Sequence, residues 1–400
     1  MSENETAYYK SAGFLKGIAI TSIVFVHSFS NMAPEFPLQY TNNSMNNPAL
    51  DLFFSGLMMF FLLSGYFYKP KNGFWKNTKK RIIQIVPVFI ICGIVLTLIM
   101  VGWGNIYGFF TDADTLIKDL VDTLTAFAFQ EPWVEGSEYG YVLIGWYFLM
   151  NILSALIIFY AIADKCIKNL KRLAVSVAIC VALQILVSQF VNIWLPLRLD
   201  LAPIAVSFML IGAFMKRIDV IPFLENNWKT KKFWMILIPV AAVGLTVSVF
   251  FPTGCKYSIG YFGEYGSLSV ISFFIIMICD GFFLLCFSAI VCHLRPLSDF
   301  FSFISKYSMH ILLVHGFYLK LLQTPFYGMS TVDFLAYMPT LPAVLIAVSS
   351  LALSVLTSYI GVKVYGKLKT KYNRRIKPPR PLASETDDFR MSHLHNICLK

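Results

Sequence analysis

The sequence predicts an all-α membrane protein, a polytopic bundle of about ten transmembrane helices with both termini in the cytoplasm. Its 400 residues are 57% hydrophobic and only 14% charged, whereas soluble domains carry about 25% charged residues. Long apolar runs recur along the chain, and each can cross about 30 Å of hydrocarbon. Basic residues cluster in alternate connections between these runs, which is the pattern that sets membrane orientation.

The apolar runs divide the chain into three parts. The runs cover residues 14–31, 49–68, 82–101, 141–163, 173–195, 199–215, 233–251, 267–291, 306–322 and 339–365. We expect residues 1–13 to be a cytoplasmic N-terminus, 14–366 the transmembrane domain and 367–400 a disordered cytoplasmic tail. No small-residue cleavage site follows the first run, so we expect that run to remain as an anchor.

The net charge of +11 reports topology rather than nucleic-acid binding. With the N-terminus in the cytoplasm, the outer segments hold only four of the 33 Lys and Arg, namely Lys118, Arg198, Lys256 and Lys320. The other basic residues face the cytoplasm, where they favour anionic lipid headgroups. The eight cysteines match neither a disulfide framework nor a zinc motif, and we expect no metal.

The outer loop 102–140 is long, aromatic and acidic. Loops of this length between packed elements are functional or disordered. Its aromatic and carboxylate side chains suit the hydroxyl groups of a sugar, and they equally suit an amphipathic segment at the membrane surface.

Lys16 and His27 lie eleven positions apart in the first run. Eleven helical steps turn through about 1100°, roughly 20° off three full turns, with a rise of about 16 Å, so the two share one face without touching. Ionisable groups inside a span are costly and usually functional. Lys16 is either a snorkelling lysine or an anchor for an anion. His27 is either a neutral structural histidine or a general base.

Two further ionisable side chains lie inside predicted spans, Asp280 and His315. Each is expensive in hydrocarbon unless another span supplies a partner. Asp280 is either a neutral carboxyl hydrogen-bonded within the bundle or a catalytic group. His310 lies about 140° around the helix from His315, so we expect these two histidines to belong to different sites.

Several residues near the membrane surfaces have both a structural and a functional interpretation. Arg81 ends a basic stretch that either anchors the chain or clamps a diphosphate. Ser64 precedes Gly65, where small residues allow close helix packing. Trp146 and Tyr147 fit an interfacial aromatic belt or a substrate contact.

On five motifs the chain resembles the membrane acyltransferase 3 family. The first is the pair Lys16 and His27 with ten residues between them. The others are Phe60-Phe61-Leu62-Leu63-Ser64-Gly65-Tyr66, the basic stretch Lys79-Lys80-Arg81 with Pro87, Trp146-Tyr147-Phe148-Leu149, and the segment from Ser308 to His315. They occur in the family's order, and the resemblance covers roughly residues 12–365. Lysine at position 16, where arginine is usual, loses bidentate geometry towards phosphate and keeps the charge.

The resemblance implies an acyl-CoA-dependent O-acyltransferase of the bacterial cytoplasmic membrane. It would move an acyl group, acetyl above all, to a sugar hydroxyl of a surface polysaccharide or a lipid-linked glycan. His27 would be the general base, with an acyl-histidine intermediate as a variant. Lys16 and Arg81 would hold the donor's phosphates, and Ser64, Trp146, Tyr147, Asp280 and His315 would support the site. Acetyl-CoA would be a substrate, with no permanently bound cofactor.

Two other classes of protein remain open on the sequence alone. Scattered intramembrane ionisable groups also suit a transporter or flippase of a lipid-linked sugar, with His27, Asp280 and His315 as a proton or substrate path. No inverted repeat or matching pair of discontinuous spans supports that reading. A non-catalytic membrane sensor or partner could bind a ligand through the 102–140 loop.

Overall fold

The computed structural model describes residues 10–31, 48–106, 146–190, 195–250, 267–323 and 340–376, and every regular element among them is helical. The helices are α1 (Lys10–Asn31), α2 (Pro48–Tyr66), α3 (Gly73–Ile106), α4 (Trp146–Cys166), α5 (Leu170–Phe190), α6 (Ala202–Arg217), α7 (Val220–Asn227), α8 (Lys231–Phe250), α9 (Ser267–Val291), α10 (Arg295–Lys306), α11 (Ser308–Gln323) and α12 (Thr340–Ile376). Beyond residue 106, the 102–140 loop lies outside the described residues, as does the tail from 377.

The described helices confirm an all-α, multi-pass membrane fold. Six segments are long and apolar enough to cross a bilayer: Lys10–Ser28, Phe148–Cys166, Leu170–Phe190, Pro196–Arg217, Val270–Val291 and Val344–Lys367. A seventh span results if α7 and α8, which meet at a bend of 116°, count as one. Each predicted apolar run coincides with a described helix. The number of ten spans and the cytoplasmic position of both termini remain predictions.

Helix α1 lies in the core, against α2, α9, α10 and α11. Leu15, Ala19, Ile20 and Val24 on different sides of α1 are fully buried. A helix that is apolar nearly all round is typical of such a central position. The helix that carries Lys16 and His27 is therefore held on several sides by protein.

Close backbone approach between α2 and α6 depends on two glycines. A Cβ atom at Gly65 would overlap the carbonyl of Met209, and one at Gly212 would overlap the carbonyl of Leu62. Small residues at a crossing let helices in a membrane pack backbone to backbone. The close packing expected at Gly65 is therefore present, and it fixes the end of α2 from which the chain leaves towards α3.

A buried ion pair fixes the break before α6. Arg198 is fully buried and its Nη2 donates to Oδ2 of Asp200 at 2.7 Å, while its Nε lies 3.1 Å from both carboxylate oxygens. Leu197 and Arg198 have left-handed backbone angles, with φ of 56° and 52°. Asn151 donates to the carbonyl of Arg198 at 2.9 Å, and Gln184 donates to that of Asp200 at 3.0 Å. The turn is thereby tied to α4 and α5.

The chain divides into two compact units, Met1–Ser354 and Val355–Lys400. The first holds all the residues discussed as a site. The described part of the second continues α12 to Ile376, and there Nζ of Lys363 lies 4.3 Å from the ring centroid of Tyr359. The domain boundary at residue 366 remains a prediction.

Candidate active site

Two histidines from opposite ends of the chain meet inside the bundle. Nδ1 of His27 on α1 lies 2.8 Å from Nε2 of His315 on α11, which is hydrogen-bonding distance. Their rings are nearly parallel, with an interplanar angle of 13°. His315 is fully buried, in a stretch where Ile311, Leu312 and Leu313 are also buried. The partner that an intramembrane His315 needs is therefore His27.

The hydrogen bonds of His315 assign the proton positions of both rings. Nδ1 of His315 lies 2.8 Å from the carbonyl oxygen of Leu312 and 3.1 Å from that of Ile311. Because carbonyl oxygens only accept, this nitrogen carries a hydrogen and donates it. In the neutral ring Nε2 is then an acceptor, and the proton between the rings belongs to Nδ1 of His27. Nε2 of His27 therefore carries the lone pair of that imidazole, as a general base requires.

Lys16 and Arg81 form a pair of neighbouring cations. Both side chains are partly buried, and the charge of Arg81 acts on the ammonium group of Lys16. Within the described residues neither cation makes an ion pair with a carboxylate. Like charges held together without a counter-ion repel each other, and an anion bound between them would relieve that repulsion. The pair suits a phosphate or diphosphate group.

A chain of side chains holds Arg81 in place. Its Nε donates to the hydroxyl of Tyr160 at 3.2 Å, and its Nη1 donates to Oε1 of Gln84 at 3.3 Å. The ring of Tyr160 stacks on that of Tyr68, with centroids 5.6 Å apart. Tyr68 in turn donates its hydroxyl hydrogen to Oδ1 of Asp164 at 2.9 Å. Burial, followed by this hydrogen bond, raises the pKa of Tyr68, so the phenol remains protonated as a donor.

The sequence analysis missed Tyr160, Tyr68 and Asp164. Tyr160 and Asp164 are four residues apart, so they lie on one face of α4. Tyr68 follows the motif that ends at Tyr66. The helical spacing was a usable signal, but the pairing of α4 with the start of α3 was not visible in the sequence.

The other predicted site residues lie apart from these two clusters or cannot be assigned. Oδ1 of Asp280 on α9 lies 3.5 Å from where a Cβ of Gly244 on α8 would be, so this carboxylate faces α8. Ser64 donates to the carbonyl of Phe60 in its own helix at 2.6 Å. The side chains of Trp146 and Tyr147, at the start of α4, lie outside the described residues. Among the described residues, no three possible metal ligands come together.

Comparison with known proteins identifies the family. The family model described as the acyltransferase domain of the acyltransferase 3 type matches residues 10–359. Neither the curated proteins nor the solved structures include a match. The matched range contains both histidines and both cations described above, and it covers nearly the whole chain. The chain therefore belongs to the acyltransferase 3 family and is a multi-pass membrane acyltransferase.

Proposed function

We propose that the protein is an O-acyltransferase of the bacterial cytoplasmic membrane that moves an acetyl group from cytoplasmic acetyl-CoA to a sugar hydroxyl. The acceptor would be a cell-surface polysaccharide or a lipid-linked glycan. The observation that carries the proposal is that one central helix bears both clusters. Lys16 lies beside Arg81, and His27, about 16 Å further along α1, is bonded to His315.

The cation pair supports a donor that carries a diphosphate. The guanidinium group of Arg81 can make two parallel hydrogen bonds to phosphate oxygens, and the ammonium group of Lys16 adds a compact charge. With the diphosphate bound there, the pantetheine arm of acyl-CoA would run along the face that Lys16 and His27 share. The thioester would then reach the histidine pair.

The histidine pair supports direct transfer. The acceptor hydroxyl attacks the thioester carbonyl carbon and gives its proton to Nε2 of His27. When the tetrahedral intermediate collapses, the carbon–sulfur bond breaks and the same proton passes to the leaving thiolate. The products are the O-acyl sugar and free CoA with its thiol. Atoms and charges balance without any further reactant.

His315 would act through His27. Its Nε2 accepts the Nδ1 hydrogen of His27, which keeps the lone pair of His27 on Nε2. When His27 is protonated, the same bond becomes charge-assisted and strengthens. His315 itself is held by the two carbonyl groups of its own helix. It is thus a positioning residue, comparable in role with the buried group that orients the base in a catalytic triad.

The proposal is tested with membranes that contain the protein and its native glycan. Membranes are given acetyl-CoA labelled in the acetyl group, and label in the glycan is measured. The wild type should transfer label, and His27→Ala should reduce transfer by at least roughly 100-fold while still accumulating in the membrane. His310→Ala is the matched control, since its side chain lies elsewhere on α11. Undiminished transfer by His27→Ala would refute the assignment of the base. No labelled glycan from the wild type would favour transport or sensing.

A further inference from the structure

Helix α10 crosses α1 at the position of Lys16. The rings of Phe14 and Phe301 meet edge to face, with centroids 5.2 Å apart. A Cβ atom at Gly17 would overlap the backbone of Phe301, and one at Gly13 would lie 3.3 Å from Oγ of Ser302. The two glycines flank Lys16, so α10 packs directly against the stretch of α1 that presents this cation.

The surface of α10 divides into three sectors. At 100° per residue, the side towards the bundle holds Ser298, Phe301 and Ser305, which are buried or partly buried. A second, exposed side is charged. It consists of Arg295, Asp299 and Lys306. A third side is apolar and also exposed: Leu297 is 43%, Phe300 54% and Phe303 40% exposed, and Pro296 lies among them.

We propose that α10 lies flat in the membrane surface on the Lys16 side of the bundle, with phospholipid acyl chains covering its apolar side. A helix docked on the flank of a membrane protein at this level has three environments: protein, water and hydrocarbon. The three sectors of α10 correspond to them one by one. Amphipathic helices that lie in the interface bury their apolar face at the boundary between headgroups and acyl chains.

Chain continuity supports lipid as the occupant. Helix α9 contains the span Val270–Val291, and α10 begins at Arg295, four residues beyond its end. The start of α10 is therefore at the level where the hydrocarbon ends. Arg295 and Lys306, at the two ends of the helix, fall on the charged side, where they can meet lipid phosphates and water. An exposed apolar patch next to a membrane span is satisfied by the bilayer itself.

The proposal does not depend on the reaction that the protein catalyses. It concerns where α10 sits, and its link to the site is the contact across Gly13 and Gly17. Lipid on one side of α10 and α1 on the other would hold that segment of α1, and with it Lys16, at a fixed depth in the membrane.

Cysteine accessibility tests the proposal on the full chain. Asp299→Cys and Phe300→Cys place a thiol on adjacent residues in the charged and apolar sectors. Each variant is purified, placed in phospholipid nanodiscs and treated with a membrane-impermeant maleimide, and mass spectrometry of the α10 peptide separates the new thiol from the native cysteines. We expect position 300 to react at least roughly tenfold more slowly than 299, because hydrocarbon disfavours the reactive thiolate. Lys306→Cys and Phe303→Cys provide a second pair.

Each other outcome contradicts the proposal. Equal and fast labelling at 299 and 300 would mean that water reaches the whole exposed surface. Equal and slow labelling would mean that protein covers the charged side as well. Slow labelling at 300 in crude membranes, followed by fast labelling in nanodiscs, would identify a partner protein instead of lipid. The second pair decides the matter if Phe300→Cys does not fold.

Discussion

The hydroxyl oxygen of Tyr160 lies 3.2 Å from Nε of Arg81 and accepts its hydrogen. Gln84 accepts from Nη1 of the same guanidinium group at 3.3 Å. Tyr160 is buried, whereas Gln84 is exposed. The more rigid of the two contacts is therefore the one to Tyr160, whose ring is itself stacked on Tyr68. An arginine fixed in this way is prepared for an anion before the anion arrives.

Tyr160→Phe should raise the KM for acyl-CoA and leave kcat nearly unchanged. The substitution keeps the ring and its stacking and removes only the acceptor for Arg81. A hydrogen bond to a charged group at a partly exposed site is worth about 1 kcal/mol, or roughly fivefold in KM. Gln84→Ala, at the exposed contact, should have a smaller effect. A fall in kcat with no change in KM would show that Tyr160 acts elsewhere.

Substitutions of His315 should lower kcat in an order set by hydrogen bonding. His315→Leu removes the acceptor for Nδ1 of His27, and we expect a loss of roughly 10²–10⁴-fold in kcat, comparable with losing a general base. His315→Gln can present its amide oxygen to the same nitrogen and should recover part of that loss. His310→Ala should behave as the wild type. Equal activity of the leucine and glutamine variants would mean that the hydrogen bond is not what matters.

The sequence predicted the single residues of the site better than the relations between them. Helical spacing placed Lys16 and His27 on one face of one helix, and an intramembrane histidine such as His315 needs a partner. Which partner it has depends on how α1 and α11 pack, and periodicity within each helix contains no information on that. The same limit explains why Tyr160 was missed, because its importance comes only from its contact with Arg81 across two helices.

Membrane crossing was predictable for a different reason. Length and apolar composition decide whether a helix can span the bilayer, and both are local properties of the sequence. The runs at 14–31 and 267–291 therefore reappear as α1 and α9 with nearly the same bounds. The break before α6 was not foreseen, since Arg198 reads as an outer-loop cation. Its burial depends on Asp200, Asn151 and Gln184, which satisfy it from three helices or turns.

Lys16→Ala should weaken acyl-CoA binding far more than Lys16→Arg. The alanine variant removes one of two charges that we propose to hold the donor's diphosphate. The arginine variant keeps that charge and adds bidentate geometry. KM for acyl-CoA should rise at least roughly tenfold in Lys16→Ala, with little change in Lys16→Arg. The measurement is the dependence of initial rate on acyl-CoA concentration in detergent-free membranes. Equal losses in both variants would indicate a structural lysine.

Arg198→Met should destabilise the protein without a specific effect on catalysis. It leaves the Asp200 carboxylate buried with no ion-pair partner, and breaking a buried pair in this way costs about 3–5 kcal/mol. Lower accumulation in the membrane and a lower Tm in detergent are expected, while the protein that does fold should keep its KM for acyl-CoA. The ion pair is far from Lys16 in sequence and belongs to the turn before α6.

The double variant Arg198→Met/Asp200→Leu separates charge from packing. Removing both partners leaves no buried charge, and replacing a buried pair with apolar side chains is often neutral or stabilising. The double variant should therefore have a higher Tm than either single variant. The left-handed backbone at position 198, with φ of 52°, is unchanged between the single and double variants, so its strain cancels in the comparison. If the double variant is as unstable as the sum of the two single variants, the ion pair contributes through its shape and hydrogen bonds to neighbouring helices, and not through the compensation of charge.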